Sequence, residues 1–354
     1  MTRKQWAALS LSLLGAGIGG IIAAVALVDP FEVYHKATAF IPPITNGTQN
    51  YSNAGIAKNY EYDSVVIGSS MTENFTPSQL DRLFGGQFVK LPINGGSPFN
   101  HKQMMDLAFS SHDVRRVLYG MDIEALTYFY TSPKCEMPDY LYDNNLFNDV
   151  SYWFNKSVLS QYIPQCLSTL GQTDPDQRDT MYTWGDLYTY GRDAALTGVS
   201  IFSSPVEQMP VSSPAELSQQ SLLNVEHNIL PYIQNHPDTQ FIFFYPPYSL
   251  AQWYQFYAVG SLDYHLEQKE ALTAILLTYS NVEIYDFQAR TEWILDLNHY
   301  IDAKHYGADI NAAMAEDIAA GNCRITDGGQ VAQNDALLKE LVGQLVHAGE
   351  WIFD

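Results

Sequence analysis

The chain has 354 residues, of which 46% are hydrophobic and only 16% charged, so it can bury a large core. This composition argues against an intrinsically disordered protein. The formal net charge of -21 argues against nucleic acid as a partner, because binding to a phosphate backbone needs clustered cations.

An apolar, uncharged segment at residues 6–28 directly follows Arg3 and Lys4. A helix of that length crosses a hydrocarbon core of about 30 Å. We therefore expect a cytoplasmic tip and transmembrane anchor over residues 1–28, with the rest of the chain outside the cytoplasm by the positive-inside rule. A cleaved signal peptide is the alternative, because Ala24-Val25-Ala26 resembles a cleavage site, but the length of the apolar run favours the uncleaved anchor.

Residues 29–59 are rich in Pro, Asn, Gly and aromatic residues, which predicts a linker without regular structure. The three cysteines, Cys135, Cys166 and Cys323, have no spacing typical of a metal site. In an extracytoplasmic domain Cys135 and Cys166 could form a disulfide across the central insertion, and free thiols are an equally good interpretation.

Alternating strand and helix patterns indicate an α/β domain over residues 60–354. Strands are predicted near residues 64–67, 87–93, 115–123, 240–245 and 281–287, which favours a three-layer α/β/α sandwich with a five-stranded parallel flavodoxin-like sheet. An aromatic-rich insertion at about residues 124–213 interrupts the alternation. It is interpreted as a cap on the domain, or alternatively as a lid or carbohydrate-facing surface.

A serine lies on the turn after the first predicted strand. That strand stops at Gly68 and is followed by Ser69 and Ser70. The carboxyl ends of parallel strands gather loops around a crevice, so a serine here is well placed for catalysis. A serine hydroxyl becomes a useful nucleophile only when a base takes its proton and a third group orients that base.

The C-terminal segment offers an acid and a histidine at D-x-x-H spacing twice. Asp302 and His305 are the preferred pair, because His305 directly precedes a helical pattern that would hold its loop at the strand ends. Asp296 and His299 form the alternative base pair, within a more helix-like run.

Four short motifs now point to a family: GSSMTENF, NGGSPFN, GMD and D-x-x-HY, each at its expected place after a strand or before the last helices. They resemble the SGNH (GDSL-like) hydrolase and acyltransferase superfamily. The anchor, DPFEVYH and YIDAKHYGADIN are similar to membrane-anchored members associated with bacterial cell-surface polymers, of the alginate O-acetyltransferase and D-alanyl-transfer type. The resemblance implies Ser70 as nucleophile, with Asp302 and His305 completing a triad.

The predicted oxyanion hole consists of the backbone N–H groups of Ser70 and Gly96. Members of the superfamily often supply a third donor from an asparagine, where this chain has Asp122. Three interpretations remain: Asp122 is protonated and donates, it has a structural role, or another group is the third donor.

The sequence therefore predicts a serine-dependent O-acyl esterase or O-acyltransferase that needs no metal or other cofactor. Its expected substrate is a bacterial cell-surface polysaccharide or a teichoic-acid-like polymer. Transfer would imply a membrane-bound O-acyltransferase as partner. The alternative is a non-catalytic protein with the SGNH fold, which would assemble with or bind to such a partner.

Overall fold

The computed structural model describes residues 1–197 and 214–353. The chain divides into two compact units. Unit 1 comprises Met1–Tyr60 and Met137–Gln177, and unit 2 comprises Glu61–Glu136 and Arg178–Asp354. The predicted insertion at residues 124–213 is thus divided between the two units, and its last part, residues 198–213, lies outside the described residues.

Unit 2 contains a six-stranded mixed sheet with the strand order β2-β1-β3-β4-β5-β6. The strands are β1 (Ser64–Gly68), β2 (Phe88–Pro92), β3 (Arg116–Gly120), β4 (Gln240–Tyr245), β5 (Val282–Asp286) and β6 (Arg324–Ile325). The first five pair in parallel, whereas β6 pairs antiparallel with β5. The prediction of five parallel strands missed β6, because a strand of two residues leaves no hydrophobic pattern to recognise.

Strands β1 and β4 are apolar and buried at their centres. In β1 all five residues are buried, and β-branched Val65, Val66 and Ile67 form its centre. β4 reads QFIFFY and buries every residue after the first. Such continuous apolar runs are typical of parallel strands that are covered on both faces.

The described ranges of the two units contain fifteen α-helices. In chain order they are α1 (Arg3–Val28), α2 (Gln49–Asn59), α3 (Pro77–Phe84), α4 (Pro98–Ser111), α5 (Val150–Trp153), α6 (Ile163–Ser168), α7 (Gln177–Thr180), α8 (Arg192–Leu196), α9 (Pro214–Asn228), α10 (Leu230–Asn235), α11 (Leu250–Ala258), α12 (Leu262–Leu276), α13 (Thr291–Ile294), α14 (Ala308–Ala320) and α15 (Gly328–Ala348).

Helix α1 is long and apolar enough to cross a membrane, a property that it shares with signal sequences. Helix α2 corrects the prediction of an unstructured linker over residues 29–59. A Cβ atom at Gly55 would lie only 2.3 Å from the carbonyl oxygen of Glu32, so the glycine lets α2 pack directly on that backbone. Tertiary packing therefore stabilises a helix that its Asn, Ser and Gly content disfavours.

All three cysteines are free thiols in the structure, so Cys135 and Cys166 do not form the disulfide that the sequence left open. Cys166 is fully buried in unit 1, where burial raises the pKa of its thiol to about 12. The thiol of Cys135, in unit 2, donates to the carbonyl oxygen of Asn94 at 3.3 Å.

Candidate active site

Ser70, His305 and Asp302 form a continuous chain of hydrogen bonds in unit 2. The Oγ atom of Ser70 lies 2.9 Å from Nε2 of His305. On the other side of the ring, Nδ1 of His305 lies 2.8 Å from Oδ2 of Asp302. This is the geometry in which a histidine can take a proton from a serine while a carboxylate holds the ring in the required tautomer.

The turn that carries Ser70 is a single 3-10 turn, Ser70–Thr72, directly after β1. Two glycines at strand ends make room for the Thr72 side chain. A Cβ atom at Gly68 would lie 2.5 Å from Cγ2 of Thr72, and one at Gly120 would lie 2.7 Å from the same atom. The Thr72 hydroxyl donates to the carbonyl oxygen of Ser69 at 2.8 Å, which closes the turn.

Two side chains from the C-terminal part of unit 2 hold the same turn. The Tyr306 hydroxyl and Nδ2 of Asn311 both donate to the carbonyl oxygen of Met71, each at 3.0 Å. Tyr306 directly follows His305 in the chain. Hydrogen bonds therefore join the turn that carries Ser70 to the loop that carries His305, next to the Ser70–His305 contact.

The loop that carries His305 is itself closed by short-range hydrogen bonds. An isolated antiparallel bridge joins Tyr300 to Tyr306, and Ile301 donates its N–H to the carbonyl oxygen of His305 at 3.0 Å. Burial alone would raise the pKa of Asp302, but hydrogen bonds from His305 lower it below its ordinary value. Asp302 is thus held as the carboxylate that an imidazolium needs.

The alternative pair, Asp296 and His299, lies 3.6 Å apart between Oδ2 and Nε2, but its hydrogen bonds are made to other residues. Nδ1 of His299 lies 2.6 Å from Oδ2 of Asp309, at the start of α14. Asp296 accepts hydrogen bonds from the backbone and the side chain of Asn298. In the described part of the chain, the histidine ring that is bonded to Oγ of Ser70 is that of His305 and not that of His299.

Asp122 is a buried, charged acceptor rather than a donor. Its carboxylate accepts hydrogen bonds from the Tyr248 hydroxyl at 2.6 Å and from the Ser69 hydroxyl at 3.2 Å, and the Lys304 ammonium lies 2.9 Å away. Burial would raise the pKa of Asp122, but the Lys304 charge and these hydrogen bonds hold it well below its ordinary value. Of the three interpretations of Asp122, these acceptor contacts favour the structural role.

The N–H of Gly96 is already used within its own turn. It donates to the carbonyl oxygen of Ile93 at 2.8 Å. A Cβ atom at position 96 would lie 2.8 Å from Cβ of Ile93, so the glycine is required by the turn itself. This contact corrects the prediction of Gly96 as an oxyanion donor. The Ser70 N–H, in contrast, takes part in none of the turn and loop hydrogen bonds of the described ranges.

Sequence reasoning missed Trp184, which lies within the predicted insertion. Its indole N–H donates to the carbonyl oxygen of Ser70 at 3.4 Å, and its ring meets that of His305 edge-on with centroids 5.9 Å apart. Oδ1 of Asn74 accepts the N–H groups of Trp184 and Gly185 at 3.0 and 3.2 Å, which fixes this segment beside the serine. Nothing in the local sequence indicated the contact.

Lys304 was also missed, although it lies between Asp302 and His305 in the chain. Its ammonium contacts Asp122 and, at 2.7 Å, Oε2 of Glu124. Burial lowers the pKa of Lys304, but the two carboxylates outweigh burial and raise it above its ordinary value. A lysine beside a predicted active-site histidine, opposite an acid at a strand end, was the signal that could have found this ion pair.

No family model matches the chain, and no match was found among curated proteins. Among residues 1–197 and 214–353, no three His, Cys, Asp or Glu side chains form a group that could hold a metal ion.

Proposed function

We propose that unit 2 is a serine-dependent O-acyl esterase or O-acyltransferase of the SGNH type. The observation that carries this proposal is the hydrogen-bonded chain from Ser70 through His305 to Asp302. Ser70 and His305 are 235 positions apart in the sequence, so their contact is produced by the fold and not by local chain geometry.

In the proposed mechanism, Oγ of Ser70 attacks the acyl carbonyl carbon while Nε2 of His305 takes the hydroxyl proton. Asp302 orients the ring and stabilises the imidazolium that forms. As the tetrahedral intermediate collapses, His305 returns the proton to the leaving oxygen, and the acyl group remains on Ser70. A sugar hydroxyl or water then attacks this ester, with His305 again acting first as base and then as acid.

The Ser70 N–H is the oxyanion donor of this proposal, since Gly96 and Asp122 are engaged elsewhere. Asp122 is not an oxyanion donor in this proposal but positions the turn through the Ser69 side chain. By accepting the Ser69 hydroxyl it fixes the residue directly before the nucleophile, and Lys304 supplies the opposite charge that this buried acid requires.

The position of Ser70 in the sheet supports the same proposal. The five parallel strands follow the order β2-β1-β3-β4-β5, and in open α/β sheets ligands bind outside the carboxyl ends of the strands where the order reverses. β1 and β3 flank this reversal. Ser70 follows β1 and Asp122 follows β3, so both belong to the edge of the sheet where a substrate crevice is expected.

The substrate class rests on the resemblance of the motifs alone. It comprises O-acyl esters of a bacterial cell-surface polysaccharide or a teichoic-acid-like polymer, acted on by an outward-facing domain anchored through α1. In a transferase, a membrane-bound O-acyltransferase would bring the acyl group across the bilayer. Exclusion of water from the acyl-enzyme would then decide between transfer and hydrolysis.

A non-catalytic assembly or binding protein is the second candidate. Two observations favour it: the Gly96 N–H is bound within its turn, and Asp122 is an ionised acceptor. A site with one backbone donor has less stabilisation for a tetrahedral oxyanion than a site with three.

Hydrolysis of an aryl acetate by the purified full chain tests the proposal. We expect Ser70→Ala to lower kcat/KM by about 10³-fold or more, because the covalent route is lost. Ser69→Ala is the comparison: it removes the hydroxyl that Asp122 holds but keeps the nucleophile, so we expect a much smaller loss than in Ser70→Ala. Equal activity of the wild type and Ser70→Ala would favour the non-catalytic candidate.

A further inference from the structure

Residues 146–170 of unit 1 carry an unusual density of exposed apolar side chains. Phe147, in a short turn before α5, is 90% exposed. Others follow on α5, on α6 and just beyond them, so that the exposed set is Leu146, Phe147, Val150, Phe154, Leu167 and Leu170. We call residues 146–170 the apolar collar.

The collar exposes no acid, although the whole chain carries a net charge of -21. Asp149 and Lys156 are its charged residues. Asp149 is only 3% exposed, and its carboxylate accepts a hydrogen bond from the Tyr34 hydroxyl at 2.9 Å. Lys156 is therefore the exposed charge within residues 146–170, and it suits a surface of anionic lipid. The exposed Asp143 lies just outside the collar, where its carboxylate accepts a hydrogen bond from Nδ2 of Asn148 at 2.7 Å.

The collar is attached to the end of the candidate membrane helix. Helices α5 and α6 both contact α1. Asp29, which caps the C-terminus of α1, accepts a hydrogen bond from the Tyr152 hydroxyl of α5 at 2.9 Å. The same carboxylate accepts the N–H groups of Tyr34 and His35, so the first residues after the helix are fixed against the collar.

We propose that the apolar collar rests on the lipid bilayer around the point where α1 leaves it. With α1 across the membrane, α5 and α6 lie at the level of its C-terminal end, where apolar side chains enter the boundary between headgroups and acyl chains. Trp153, whose indole N–H donates to the Tyr34 hydroxyl at 2.8 Å, adds the type of aromatic residue that is enriched at that boundary.

Two features favour a lipid surface over a protein partner. The exposed side chains lie on and beside helices that contact α1, which is itself apolar on all sides. The collar and α1 are therefore both stabilised by an apolar environment. The collar also lacks exposed acids and has one exposed lysine, which gives little of the charge pattern by which protein interfaces select a partner.

Quenching by brominated lipids tests the proposal on the full chain in nanodiscs that contain only phosphatidylcholine and phosphatidylglycerol. Cys135→Ser and Cys323→Ser remove the two accessible thiols, while Cys166 stays buried. An environment-sensitive fluorophore is then attached in Phe147→Cys, in Phe154→Cys, or in the control Asp176→Cys, an exposed acidic position of the same unit.

We expect brominated lipid to lower the emission of the two collar labels roughly twofold and to leave the Asp176→Cys label unchanged. In a second variant, Leu146→Ser and Leu170→Ser should reduce quenching at Phe147→Cys while circular dichroism remains that of the parent. Labels that are not quenched in pure lipid nanodiscs would overturn the proposal. A change in the emission of the collar labels that appears only when a membrane protein is co-reconstituted would overturn the proposal as well, in favour of a protein interface.

Discussion

Asp302 holds His305 with both of its carboxylate oxygens. Oδ1 accepts the backbone N–H of His305 at 2.7 Å, and Oδ2 lies 2.8 Å from Nδ1 of the ring. Oδ1 also accepts the N–H of Lys304 at 2.8 Å. A turn-capping role and an orienting role are thus combined in one side chain.

The substitution Asp302→Asn separates these two roles. The carbonyl oxygen of the introduced amide would still accept both backbone N–H groups, so the loop should remain folded. The side chain could no longer accept from Nδ1 as a carboxylate does, and we expect kcat/KM for an aryl acetate to fall by about 10⁴-fold, as in triads that lose their acid. Asp296→Asn is the matched control and should stay close to wild type. Full activity in Asp302→Asn would contradict the assigned role.

The two histidines are separated by a parallel comparison. We expect His305→Ala to abolish most turnover, because no other described ring is bonded to the Ser70 hydroxyl. His299→Ala removes a ring bonded to Asp309 and should leave the rate nearly unchanged. Steady-state kinetics of both variants show which histidine is the base. If only His299→Ala abolished turnover, the base would be misassigned.

The Asp122–Lys304 pair predicts a large effect on stability. Lys304→Met would leave a buried carboxylate without its cation, which costs about 3–5 kcal/mol of unfolding free energy. Asp122→Asn in the same chain removes the uncompensated charge, so the double variant should recover part of that loss. Denaturant unfolding of the wild type, Lys304→Met and the double variant measures these differences in unfolding free energy. Equal stability of the single and double variants would show that the pair is not coupled.

Lys90 predicts a pH dependence of stability. The lysine is fully buried in β2, and burial lowers its pKa to about 7 from an ordinary value of 10.5. Between these two values the unfolded chain binds more protons than the folded chain, so the free energy of unfolding should rise with pH, by at most about 1.4 kcal/mol per pH unit. Unfolding between pH 7 and 9 measures the slope. Lys90→Met should flatten it, and an unchanged slope would contradict the account.

The contacts at the C-terminal end of α1 predict that this helix is not cleaved from the chain. Val25 is fully buried, and the carbonyl oxygen of Ala26 lies 3.0 Å from Nε2 of His35. Cleavage after Ala26 would remove both groups from unit 1. We therefore expect the intact mass of protein extracted from membranes to include residues 1–28. Recovery of a stable chain that begins at Leu27 would show that the segment is a signal peptide.

The sequence predicted best those features that depend on a single strand or on a single short motif. The strands β1 to β5 could be recognised because buried parallel strands are mainly apolar, and the serine could be recognised because β1 ends at Gly68. The spacing of Asp302 and His305 could be recognised because the pair is local, three residues apart. Its contact with Ser70 was an inference from sheet topology.

The remaining features depend on contacts between distant segments. Trp184 is near the site only because loops from separate parts of unit 2 meet there, and the contact of Lys304 with Asp122 has the same origin. The Gly96 N–H is taken by Ile93 through the shape of a turn, which composition does not reveal. Helix α2 forms against the backbone of Glu32, and its own residues would have predicted a loop.

Labelling with a serine-directed fluorophosphonate tests whether Ser70 is an activated nucleophile. The folded full chain is incubated with the reagent, digested with trypsin, and the peptide of residues 59–82 is sequenced by mass spectrometry. The account predicts a single adduct on Ser70, lost in Ser70→Ala, strongly reduced in His305→Ala and retained in Ser69→Ala. Folded protein with no adduct on Ser70, or with equal labelling in His305→Ala, would contradict it.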